Sequence, residues 1–311
     1  MTAGPLGAGA RIALGAPSLW PVGLAGFLAR GGIVLFALPI VALPSVVGLT
    51  TFIGPNSVTA AGVAPRFVLL IALITAVLVA WVVVATLIGA AADRVLVRAV
   101  VASEPDAGRA LRAPDRDLPT LFVVRLVSLV PFALAVGIGG ARLGQVGYQE
   151  LVLPADSSAP FVIRVLVGAP EVVALLIGGW LVSELIGACA VRLAMRDDRS
   201  AARALSGAIG WVVRHPLRSV GTLGATVVVS VIVVGPLIGL SIAAWARVRD
   251  LLMTDIRPLG GLLGVALFVA VWLSALFVAG VVATWRSAAW SLAVVGDHRG
   301  GGPVPPDGGT L

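Results

Sequence analysis

Apolar residues fall in long unbroken blocks separated by short arginine-bearing stretches, the pattern of a helical membrane protein. Six blocks approach or exceed the roughly 20 residues needed to cross a bilayer. They are Gly31–Ile53, Phe67–Ala92, Leu121–Ala141, Val172–Ala194, Val220–Ala246 and Leu262–Trp285. Outer-membrane barrels are excluded, because their strands alternate apolar and polar positions over short segments. Three shorter segments read as helices lying on the membrane surface. Leu19–Ala29 is anchored by Trp20 and ended by Arg30; Phe161–Val167 is interrupted by Arg164; Ala201–Val213 is amphipathic, with Trp211 at its apolar edge. The predicted fold is all-α: a polytopic bundle of six transmembrane helices with interfacial amphipathic helices. It covers 19–296, between a flexible tail at 1–18 and a disordered tail at 297–311.

Composition overrules the two soluble domains that a length of 311 residues would otherwise allow. Charged residues make up 12% and the AVILMFWYC set 59%, against about 25% charged in an ordinary globular domain. All 22 basic side chains are arginine, as a GC-rich genome would produce. Counted by side of the six-span threading, 16 arginines fall on the face carrying both termini and 6 on the other. Basic residues in short loops stay cytoplasmic, so both termini are expected in the cytoplasm of a bacterial inner membrane. The net charge of +7 then reflects loops facing membrane lipids, with arginines available to anionic headgroups, rather than a nucleic-acid partner. Only Arg11 precedes Arg30, so no removable signal peptide is expected. Cys189, the single cysteine, lies in a span and leaves no internal disulfide or thiolate metal site.

Prolines mark where the spans depart from straight helices. Pro39 and Pro44 either kink the first span or break it around a site; Pro131 and Pro236 are further kink positions. Small residues mark close packing, with Gly179, Ser183 and Gly187 spaced along the fourth span and Gly235 and Gly239 along the fifth. The even spans resemble one another. Trp81 to Arg94 and Trp180 to Arg192 both contain LIGA, and Trp272 to Arg286 is a looser version. Three copies of an odd–even hairpin would form a three-fold repeat.

Glu184 is the acid most out of place, since a charge at mid-membrane costs at least about 2.5–3.5 kcal/mol. It must face the bundle and be paired or protonated, and Arg125 and Arg192 are its candidate partners. The set serves either as an ion pair locking helices or as a proton or substrate relay. His215 sits at a membrane edge and His298 in the tail, too far apart for a metal motif. No nucleophile elbow and no phosphate-binding loop occurs, and no cofactor is implied.

At RHPLRSVGTLGATVVV and ATWRSAAWSLAV the chain resembles bacterial multi-pass membrane proteins similar to the membrane domain fused to some glycerophosphodiester phosphodiesterases. The resemblance implies a fold and a location. The catalytic residues of those enzymes belong to a separate soluble domain, so it implies no active site here. Two functions are left: a non-enzymatic scaffold or accessory subunit packing with lipids, a membrane-protein partner or further copies of itself, and a small transporter or permease subunit using Glu184.

Overall fold

The computed structural model describes residues 4–37, 40, 58–59, 62–101, 108, 117–152, 161–197, 199–254 and 258–295. The apolar blocks are helical because lipid offers backbone amides no partner, and a helix satisfies them internally. In chain order the helices are α1 (Pro5–Gly15), α2 (Trp20–Phe27), α3 (Ile33–Ala37), α4 (Pro65–Val101) and α5 (Leu118–Ser128). There follow α6 (Val130–Val152), α7 (Phe161–Val167), α8 (Pro170–Asp197), α9 (Ala201–Arg214), α10 (Pro216–Thr254) and α11 (Pro258–Val295). Two-residue strands β1 (Val58–Thr59) and β2 (Gly62–Val63) pair antiparallel. Six stretches are long and apolar enough to cross a membrane: Pro17–Ala37, Pro65–Val101, Leu118–Glu150, Pro170–Arg196, Pro216–Leu252 and Leu259–Val295. The chain is a multi-pass integral membrane protein, an all-α polytopic bundle.

The first span differs from its expected place. Leu19–Ala29 is not a separate surface helix. It belongs to the membrane-length stretch Pro17–Ala37, which packs on α11. Glycines permit this contact. A methyl group at Gly23 would sit 2.3 Å from Thr284 Oγ1, and one at Gly280 would sit 2.8 Å from the Trp20 carbonyl oxygen. Thr284 donates to the Leu19 carbonyl (3.2 Å) and Trp272 to that of Phe36 (3.0 Å), so the two helices run antiparallel. Beyond Ala37 the expected span, with Pro39 and Pro44, lies outside the described residues save Ile40.

The helices also outrun their apolar blocks. The 37 residues of α4 reach about 55 Å at 1.5 Å per residue, beyond the roughly 30 Å hydrocarbon core. Asp93, Arg94 and Arg98 are therefore helical rather than in a loop, and α11 runs unbroken through the expected tail helix to Val295.

The helices form two compact units. The first contains Met1–Pro39, Ile88–Arg125 and Leu185–Leu311. Its frame is the α10–α11 hairpin, with Phe36, Val234, Ala275 and Ala279 as one core cluster and Ala16, Leu19, Val95, Leu96 and Ala99 as another. Toward the end of α11 Ala288, Ala289, Trp290, Ala293 and Val294 are buried. There α1 crosses it: Trp285 donates to the Leu6 carbonyl (3.0 Å), and Gly9 lies against Ala289.

The second unit contains Ile40–Leu87 and Leu126–Glu184. Here α6 packs on α8 through small groups. A methyl group at Gly179 would lie 2.8 Å from Ala135 Cβ and 3.0 Å from the Pro131 carbonyl oxygen. Leu129 interrupts the third span just before Pro131, and Ser183 Oγ accepts the Phe132 amide (3.1 Å) at this break. Val146, Ala169 and Val172 form a core cluster of this unit, beside α7.

Candidate functional site: a buried charge knot

Arg30 owes its position to a broken helix. Between α2 and α3 the chain makes a π-turn, Leu28–Gly32, with Arg30 at φ −83°, ψ 21° and Gly31 at φ 99°, ψ −5°. Positive φ is costly for a residue with a Cβ, and glycine supplies it. Arg30 Nε donates to the Gly26 carbonyl (3.0 Å), and Nη1 lies 3.2 Å from Asp93 Oδ1. From α5, Arg125 donates through Nε to Asp93 Oδ2 (2.7 Å), and its Nη2 contacts the same oxygen. Asp93 thus links the first, second and third spans through charge-assisted hydrogen bonds, roughly twice as strong as neutral ones. It is 1% exposed, so its solvation comes from these partners.

Arg192 on α8 stands within electrostatic range of this carboxylate. It is 2% exposed and donates to the Ala188 carbonyl (2.7 Å), the Ser287 carbonyl (3.0 Å) and Ser287 Oγ (3.2 Å). The fourth span is thereby tied to the sixth. Arg94, beside Asp93, is buried, and Arg98 bridges to Asp117 farther along at 2.6 Å. All of these residues belong to the first unit.

Of the residues singled out from sequence, Arg125 and Arg192 both belong to the first unit, where Arg125 donates to Asp93 and Arg192 to Ser287. Glu184 is half-buried on α8 and closes the second unit. In the sequence Asp93 follows the second apolar block and so reads as loop. The signal that could have found it is the Asp93–Arg94 pair ending the Trp81 to Arg94 element. The three closing arginines of the even spans are alike in being buried or half-buried. Their tryptophans are not alike: Trp81 is exposed, whereas Trp272 is hydrogen-bonded to Phe36.

Gly179 and Ser183 make the close contacts described above, and Gly187 is buried. Gly235 and Gly239 do not act as packing positions within the chain. Both are exposed, with nothing closer than Val231 of their own helix at 4.0 Å from a methyl group at Gly235 and nothing within 4 Å of one at Gly239. The covered face of α10 runs instead through Val234, Leu237 and Ile238. Pro236 is accommodated inside an assigned helix. His215 Nδ1 lies 3.2 Å from the Trp211 carbonyl oxygen, with its ring 5.4 Å from the indole; His298 lies outside the described residues. Cys189 is a buried free thiol, and no three His, Cys, Asp or Glu side chains gather as metal ligands among the described residues. No family model, curated protein or solved structure matches the chain.

Proposed function

We propose that the chain is a non-enzymatic integral protein of the bacterial inner membrane, a scaffold or accessory subunit that packs with lipids or partner proteins. The observation that carries this reading is the use made of Arg125 and Arg192. Both could have served a relay, and both hold helices together through Asp93 and Ser287. A buried charge that cross-links spans is a structural device first, and breaking it would expose an uncompensated ion. Both termini are assigned to the cytoplasm. The arginine count supports this, as does α1 lying against the closing end of α11.

The alternative is a small transporter or permease subunit working through Glu184, favoured by the interrupted first span. Proteoliposomes loaded with a pH-sensitive dye separate the two. The scaffold dissipates an imposed proton gradient no faster than empty liposomes, with Glu184→Gln unchanged. A leak present in the parent and lost in a folded Glu184→Gln variant would replace the scaffold by the transporter.

A further inference from the structure

A cleft of about 820 Å³ lies between the end of α8 and the polar face of α9. That volume is within the roughly 300–1,000 Å³ of small-molecule sites. Its walls carry four guanidiniums, those of Arg196, Arg199, Arg203 and Arg214, together with His215 and Trp211. Arg203 and Arg214 are exposed and make no ion pair among the described residues.

Two glycines leave the space open. A methyl group at Gly207 would sit 2.9 Å from Arg199 Nη1, so that guanidinium lies over bare backbone there. A methyl group at Gly210 would meet nothing within 4 Å.

The other faces of α9 say where the cleft stands. Ala204, Ala208 and Trp211 are buried. Ile209 (52%), Val213 (72%) and Leu217 (90%), the last at the start of α10, are exposed. An amphipathic helix with bare apolar residues beside a cationic face lies in the headgroup layer, its apolar side toward the acyl chains. The anion within reach of the cleft is then a lipid headgroup.

We infer that this cleft binds the headgroup of an anionic lipid ending in a phosphomonoester. Guanidinium forks pair with phosphate oxygens two at a time. A phosphodiester offers two free oxygens and one charge, which a single fork satisfies, whereas the exposed Arg203 and Arg214 supply two. A phosphomonoester offers three acceptor oxygens and about −1.5 to −2 charge. The inference goes beyond the scaffold reading and does not depend on it, because binding in micelles is measured without reference to transport or threading.

The test is native mass spectrometry and calorimetry of the purified chain in detergent. The probes are dioctanoyl phosphatidic acid, dioctanoyl phosphatidylglycerol, dioctanoyl phosphatidylcholine and inorganic phosphate. The phosphatidic acid binds at least about tenfold tighter than each of the others, the factor of a single charge-assisted hydrogen bond. Arg203→Gln with Arg214→Gln weakens it by about tenfold or more on the same basis. Gly210→Leu, which fills the cleft while improving helix propensity, removes binding without lowering the melting temperature. Equal binding of phosphatidylglycerol, phosphatidylcholine or inorganic phosphate would overturn the inference, as would undiminished binding in either variant.

Discussion

The two halves of α4 invert the rule of soluble proteins. No residue from Pro65 to Val84 is buried, although the segment is almost wholly aliphatic. From Ala85 to Ala99 the same helix carries Asp93, Arg94 and Arg98, and there Asp93, Arg94, Val95, Leu96 and Val97 are all buried. Lipid solvates an aliphatic side chain as well as another protein helix does, so the apolar half gains little by being covered. A carboxylate has no such solvent, and it stays only where other groups supply its hydrogen bonds. Along α4 burial follows the needs of polar groups, and the aliphatic half is left to the bilayer.

The comparison breaks most severely at Asp93. Asp93→Leu leaves the Arg30 and Arg125 guanidiniums without that carboxylate, which costs about 3–5 kcal/mol. Thermal unfolding in detergent should show the loss, and Asp93→Asn should move the same way because it keeps the shape and removes the charge. A melting temperature unchanged in both variants would mean that the knot does not hold the spans.

A smaller effect belongs to the glycine seat of α2. Gly23→Ala places a methyl group 2.3 Å from Thr284 Oγ1, an overpacking that costs about 1–3 kcal/mol. Denaturation of the purified variant measures it, and a neutral result would show that α2 does not rest closely on α11.

The smallest effect sharpens the contrast. Val77→Ala, in the exposed half of α4, should change stability by no more than about 0.5 kcal/mol, as for an uncovered surface position. A loss above 2 kcal/mol would show that another chain covers this half of the helix.

The membrane class and five of the six spans were legible because hydrophobic length is a direct consequence of bilayer thickness. Phe161–Val167 and the amphipathic helix from Ala201 were equally plain, each within a residue of its observed bounds. The first span was not, since LWPVGLAGFLA is short and ends in Arg30; only the partner helix shows that its glycines are a seat. The knot was half legible. Arg125 and Arg192 stood out within apolar blocks, whereas Asp93 fell one residue past such a block. Hydrophobicity marks where lipid stops, and helices continue past that point until their own hydrogen bonds end. Gly179 and Gly235 look alike in sequence for a related reason: a small residue permits approach, and only the fold decides whether anything approaches.

The knot also has a history in time. The chain enters the membrane from its N-terminus, and Arg30 is made 63 residues before Asp93. Arg125 follows Asp93 by 32 residues, and Ser287 follows Arg192 by 95. No single insertion step brings a charge in together with all of its partners. Arg30, Asp93 and Arg125 are complete once the third span has begun, whereas Arg192 waits for Ser287 on the sixth.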